Sequence, residues 1–181
     1  MGSSGSKESA YEEKKKNLEV IRAAEFVKHD GSKVSGKDIL AKKKVICFYI
    51  SAHWCPPCWV FTPILKEFYA EVKEDLEVVF VPAKENPIQV QARSIQDWQG
   101  RDIDLFYKVV LGQWLHAKFG SSASNQINNH FKCPHYHYLV YPNYLVVVKA
   151  DGTFVTDDGT RDIEAHYKEC EGSKVLAKWL H

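Results

Sequence analysis

The chain has 181 residues, 45% of them hydrophobic, with 24 Lys and Arg against 23 Asp and Glu for a formal net charge of +1. That length fills one domain, the balanced charge leaves no basic excess for a phosphate backbone, and no apolar stretch approaches the roughly 18 to 20 residues of a membrane span. Neither nucleic acid nor a membrane is therefore an expected partner.

From the N-terminus, residues 1–16 open on Met-Gly-Ser-Ser-Gly-Ser, carry a Lys-Lys-Lys run, and read as a tag remnant and polar tail, or a frayed helix. A single domain is expected over 17–181. "FVKHDGSKV", Phe26 to Val34, gives two short β-prone pieces around Asp30-Gly31, a hairpin signal. "VICFYI", Val45 to Ile50, is apolar without alternation, as in a central parallel strand covered on both faces. Phe61, Ile64, Leu65, Phe68, Tyr69 and Val72 then recur at helical spacing, with Lys66, Glu67, Glu71 and Lys73 on the opposite side. "EVVFV", Glu77 to Val81, is a second buried strand, and strand-helix-strand of this length implies a right-handed parallel crossover. Periodicity fades from Pro82 to Gly100, and paired apolar residues from Asp104 to Leu111 predict a helix stopped by Gly112. Ser121 to Phe131 predicts a short helix with Ile127 and Phe131 on one face. "YLVVVKADGTFVT", Tyr144 to Thr156, reads as two strands turning at Asp151-Gly152. Val175, Leu176, Trp179 and Leu180 mark a last helix.

Five cysteines, Cys47, Cys55, Cys58, Cys133 and Cys170, are too sparse for a disulfide-stapled secreted scaffold, so a reducing compartment, the cytoplasm, is expected. Cys55-Pro56-Pro57-Cys58 stands between the apolar strand and the amphipathic helix, and three readings compete: a redox dithiol, half of a metal site, or two inert thiols. Cysteines at i and i+3 in a first helical turn lie on one face with Cα atoms about 5 to 6 Å apart, within disulfide range. Cys55 would sit at the positive end of the helix dipole, where a thiolate is favoured, and Cys58 one turn further in, better shielded. Cys55 would then attack a substrate disulfide and Cys58 would release the mixed disulfide. The prolines cost little, because first-turn amides lack intrahelical partners. A zinc site would recruit Cys133, His135, His137 or His130 from "HFKCPHYH". The strand-CxxC-helix context favours the dithiol, and no metal is expected. Cys47 reads as a core residue, Cys170 as a bystander and His53 as a solvated loop residue.

"FYISAHWCPPCWVFTPILKEFY" resembles the active-site segment of the nucleoredoxin and tryparedoxin branch of the thioredoxin superfamily. That branch is marked by Ser-Ala-x-Trp-Cys-Pro-Pro-Cys followed by Phe-Thr-Pro, and Ser51, Ala52, Trp54, Cys55, Pro56, Pro57, Cys58, Phe61, Thr62 and Pro63 match it in order. "FVKHDGSKVSGKDIL" is similar to the branch's N-terminal hairpin, "WLHAKF" to its Trp-Leu segment, and "VVKADGTFVTDDGTRDI" to its closing hairpin. The resemblance implies a thioredoxin-like α/β fold, a central mixed β-sheet flanked by helices, with an N-terminal β-hairpin and an inserted helical segment. It implies a protein-disulfide reductase acting on protein or peptide disulfides, with Cys55 as nucleophile and Cys58 as resolving thiol. Trp54, Pro56, Pro57, Tyr141 and Pro142 would shape the substrate groove, Pro142 at the cis-proline position and Tyr141 pairing its backbone with the substrate chain. No bound cofactor is implied. Electrons would come from an upstream dithiol reductase or small thiol, in the cytosol or nucleus.

Several residues depart from the branch. "FKCPHYHYLVYP", leading to Pro142, is about five residues longer than usual, which puts an extra loop beside Cys55. Asn143 and Tyr144 replace a small residue and a leucine, Trp59 a common arginine, and Lys118 a proline. Tyr49 stands where general thioredoxins carry a buried aspartate, as is usual in this branch. If the longer loop screens the dithiol, the alternative is a redox-responsive protein-binding adaptor with little turnover.

Overall fold

The computed structural model describes residues 4–52, 55–83, 113–131, 142–166 and 171–181. Helix α1 (Ser4–Ala23) is followed by the hairpin β1 (Glu25–Val27) and β2 (Lys33–Ser35), then α2 (Gly36–Lys42) and β3 (Val45–Ser51). Helix α3 (Pro56–Val72) leads to β4 (Leu76–Pro82). Further along the chain come β5 (Leu115–His116), α4 (Ser122–His130), β6 (Tyr144–Lys149), β7 (Phe154–Thr156), α5 (Gly159–His166) and α6 (Gly172–Leu180). The helix expected over 104–111, the inserted helical segment, lies outside the described residues. No helix among the described residues is long and apolar enough to cross a membrane.

Among the described residues, seven strands form one sheet in the order β2-β1-β5-β4-β3-β6-β7. β3 runs parallel to β4 and antiparallel to β6, so the sheet is mixed, and β3 is paired along its whole length. Its side chains alternate between two cores. Ile46, Phe48 and Ile50 join Ile21, Phe26, Val79, Val81, Ile127 and Val146 on the side covered by α1, α2 and α4. Val45, Cys47 and Tyr49 join Phe61, Leu65, Phe68, Val78, Phe80, Val175 and Trp179 on the side covered by α3, α5 and α6. A strand buried on both faces must be apolar throughout, which is the physical content of the unbroken "VICFYI" run.

α1 runs unbroken from Ser4 through the stretch expected as a tail or frayed helix. It is docked, with Ile21 fully buried. Asn17 Nδ2 donates to the Gly152 carbonyl at 2.9 Å and Lys14 pairs with Asp151 at 3.0 Å, so the turn of the closing hairpin is clasped against the N-terminal helix. Gly152 holds a φ of +87°, a region L side chains avoid, and a Cβ there would stand 2.5 Å from the Lys14 carbonyl oxygen. Gly36 lets the start of α2 pass against the end of α1: its amide donates to the Ala24 carbonyl at 2.9 Å.

Three elements leave no readable period in the sequence. α2 is seven residues long and is started by Ser35, whose hydroxyl accepts from the Asp38 amide. β5 is two residues long and exists through its neighbours, parallel to β4 and antiparallel to β1. α5 contributes Ile163 to the α3-side core.

Candidate active site

β3 delivers the chain to the carboxyl end of the sheet, where α3 begins, the place at which open α/β sheets bind ligands. Cys55 is the N-cap of α3, in extended conformation with φ −95° and ψ 105°, and Pro56 and Pro57 occupy the first two helical positions. Proline fits there because its fixed φ suits a helix and its missing amide would have had no intrahelical partner. The turn is pinned by the Cys55 amide donating to the Ala52 carbonyl and the Cys58 amide donating to the Cys55 carbonyl, both at 3.1 Å.

Cys55 and Cys58 are joined by a disulfide with Cα atoms 5.3 Å apart. Both cysteines are fully buried, whereas Pro56 and Pro57 are exposed. Trp59, in the place of the branch's arginine, is 42% exposed on the next position of the helix, so that position carries no cation. The prolines alter the electrostatics expected at a helix start. A cap side chain ordinarily accepts from the amide of the second or third helical residue. Here the second has no amide, the third spends its amide on the Cys55 carbonyl, and the Cys55 side chain makes no capping hydrogen bond.

Beneath the disulfide lies a small polar group within otherwise apolar packing. Tyr49 Oη stands 3.1 Å from Thr62 Oγ1, 3.2 Å from Asn143 Oδ1 and 3.4 Å from the Cys58 carbonyl oxygen. Thr62 Oγ1 donates to that same carbonyl at 2.7 Å. Burial pushes the Tyr49 phenol up to about 12, against the downward pull of the Ser51 and Thr62 hydroxyls, so it is a neutral hydroxyl at physiological pH. Its ring is held edge-on by Phe61, Phe80 and Trp114. Cys58 Sγ also lies 3.5 Å from the Pro142 carbonyl oxygen, and Pro142 is itself buried.

The sequence-predicted residues are thus placed as follows. Cys55, Pro56, Pro57 and Cys58 share one helical turn, and Pro142 meets it from the start of β6. Trp54, Tyr141 and the long segment 132–141 lie outside the described residues, and with them the bond expected to be cis. His53, Cys133, His135, His137 and Cys170 also lie outside them. His130 Nε2 is 2.7 Å from Asn17 Oδ1, and Cys47 is a buried core residue whose thiol is pushed well above its ordinary pKa by burial and by Glu77. The sequence marks Thr62 only as part of a motif, and it carries no direct sign that Tyr49 pairs with Asn143. The one available signal is the presence of hydroxyls on two largely apolar faces, Tyr49 and Ser51 in β3 and Thr62 in α3, because a buried hydroxyl demands a partner.

Residues 43–154 match the model of a family described as thioredoxin-like. Probable nucleoredoxin 1 of Arabidopsis thaliana is 30% identical over 155 residues, covering 77% of this chain and 24% of that protein. The chain therefore spans about a quarter of the length of that curated relative. Among solved structures, a thioredoxin from Wuchereria bancrofti superposes with a TM-score of 0.62 at 34% identity, covering 88% of this chain and 96% of the other. Native tryparedoxin I from Crithidia fasciculata does so with a TM-score of 0.59 at 27% identity, covering 87% and 95%. With the strand order, the cysteine pair at the start of α3 and the family match together, the chain belongs to the thioredoxin-like family, and nucleoredoxins and tryparedoxins are among its relatives.

Proposed function

We propose that this protein reduces protein or peptide disulfides by thiol–disulfide exchange, with Cys55 as nucleophile and Cys58 as resolving thiol. The observation that carries the reading is the disulfide itself: two cysteines bonded across the first turn of α3, which runs on as a helix from Pro56 to Val72. In the reduced protein the Cys55 thiolate attacks a substrate disulfide and a mixed disulfide forms. Cys58 then bonds to Cys55, and the substrate leaves with two added electrons. The dithiol carries those electrons, so the step needs no bound cofactor. Pro56 and Pro57 on the exposed side and Pro142 on the other line the substrate groove, to which the resemblance to the branch adds Trp54 and Tyr141. An upstream dithiol reductase or small thiol restores the dithiol, in the cytosol or nucleus.

The test is catalysis of a model protein disulfide with dithiothreitol as donor, together with Cys58→Ser. Sustained turnover by the wild type, and accumulation of a covalent Cys55–substrate adduct when pre-reduced Cys58→Ser meets the substrate without the donor, are the expected results. The full burial of Cys55 favours a second reading, an adaptor in which the dithiol switches a protein contact. Absence of turnover, with partner affinity that changes on oxidation, would replace the first reading by the second.

A further inference from the structure

Asn143 is a departure from the branch pattern, and it stands at a junction. It follows Pro142 directly, is half-buried, and its side-chain oxygen lies 3.2 Å from Tyr49 Oη. The same hydroxyl reaches the Cys58 carbonyl at 3.4 Å and Thr62 Oγ1 at 3.1 Å, and Thr62 donates to the Cys58 carbonyl at 2.7 Å. Thr62 spends its own hydrogen on the Cys58 carbonyl, so the single hydrogen of the Tyr49 phenol alternates between Thr62 Oγ1 and Asn143 Oδ1, and the phenol packs between the backbone that carries Cys58 and the backbone that carries Pro142. Those are the two pieces whose separation sets the 3.5 Å between Cys58 Sγ and the Pro142 carbonyl oxygen.

In the disulfide, Cys58 Sγ has no hydrogen and this approach is a packing contact. In the dithiol the same sulfur carries a proton, and the carbonyl is an acceptor already in place. A carbonyl that accepts from a thiol stabilises the neutral form, since a thiolate facing the same oxygen would be repelled. From this geometry, and resting on the exchange reaction proposed above, we infer that Asn143 is a positioning residue: through the Tyr49 hydroxyl it holds the Pro142 carbonyl against Cys58, which keeps that cysteine a protonated thiol until it resolves the mixed disulfide. In the resolving step the Cys58 sulfur bonds to Cys55 Sγ and the bond between Cys55 and the substrate sulfur breaks. The electron pair leaves on the substrate sulfur, which takes up the proton Cys58 gives up. Holding Cys58 neutral separates the roles of two cysteines that share one buried turn, because only Cys55 is then available for the first attack. Among the described residues, the titratable groups that reach Cys58 are Cys55, bonded to it, and Tyr49 of β3, whose hydroxyl lies 3.4 Å from its carbonyl oxygen, while Tyr144 of β6 belongs to the same core cluster.

The experiment follows the Cβ chemical shift of Cys58 against pH in Cys55→Ser protein, a readout that needs no reagent to reach the buried sulfur. Asn143→Ala and the volume-keeping Asn143→Leu are expected to lower the titration midpoint of Cys58 by about half to one pH unit, the worth of one hydrogen bond to the neutral form. Tyr49→Phe acts in the same direction, and the double variant moves the midpoint no further than the larger single change, because both act through one contact chain. With Cys55 restored, the pH profile for resolution of a preformed mixed disulfide shifts by the same amount, which a merely structural loss would not produce. An unchanged or raised midpoint in both Asn143 variants, with native melting behaviour, overturns the inference. A lowered midpoint in a protein that never turns over a disulfide leaves the positioning intact and removes the proposed activity instead.

Discussion

Replacing Pro57 by alanine tests the electrostatics of the helix start directly. Cys55 occupies the N-cap with no side-chain capping bond; Pro57 at the second helical position has no amide; and the third amide, that of Cys58, is committed to the Cys55 carbonyl. Pro57→Ala places an N–H where a cap side chain accepts it, without altering the helix around it. Hydrogen bonds to charged groups contribute about 1.5–3 kcal/mol. Sulfur is the weaker acceptor, so the lower end applies, about 1.5 kcal/mol in favour of the Cys55 thiolate. That is about one pH unit in the titration midpoint of Cys55. Because the reduced form is stabilised wherever Cys55 is a thiolate, the two-electron couple also becomes more oxidising, by about 30 mV at pH above both midpoints and by progressively less below them. The midpoint is read from the Cys55 Cβ chemical shift in Cys58→Ser protein, and the potential from equilibration with glutathione in the unsubstituted background. Pro56→Ala is the control: an amide at the first helical position is not the one a cap side chain accepts, so its shift is expected to be much smaller. Equal shifts from the two variants, or none from Pro57→Ala, would refute the argument that the missing second amide governs Cys55.

Two further predictions concern the clasp between α1 and the closing hairpin. Gly152→Ala forces a side chain into a φ of +87° with a Cβ 2.5 Å from the Lys14 carbonyl oxygen. The expected cost is about 1–3 kcal/mol in urea unfolding, with α1 cleaved by protease before the rest of the domain; early cleavage already in the wild type would show that the clasp does not hold. For Asp151, burial acts to raise the carboxyl pKa, but the Thr153 hydroxyl and amide and the Lys14 ammonium outweigh it and bring it down to about 2. A depressed folded-state pKa stabilises the fold above the unfolded value, about 4, and that contribution is lost as pH falls through the folded value. The melting-temperature gap between wild type and Asp151→Asn is therefore full at pH 7, narrows between about pH 4 and pH 2, and closes below. A gap that persists at the acid end would mean that the charge is not what Asp151 contributes.

Features written over a few adjacent residues are legible in the sequence. The uninterrupted apolar run of β3 requires cover on both faces, the recurrence from Phe61 to Val72 places α3 with one side in the core, and Asp30-Gly31 and Asp151-Gly152 mark turns that need a positive φ. The cysteine pair belongs to the same class. Two residues three apart at a helix start must share a face, so their spacing alone puts a bond between them within reach. α2, β5 and α5 are not legible, because each is too short for its period to recur often enough to stand out from chance.

Local chemistry repeated at a regular spacing is enough to say where the dithiol sits, which strand leads to it and which helix carries it. What surrounds the dithiol is settled by how distant segments meet. Tyr49 and Asn143 are 94 positions apart, Cys58 and Pro142 are 84 apart, and Asn17 and Gly152 are 135 apart, yet each pair is in contact. No period along the chain encodes such a meeting. It follows from strand order, which inserts β3 between β4 and β6 and so carries the start of β6 to the turn of α3. There a buried phenol that must find hydrogen-bond partners finds them on both segments.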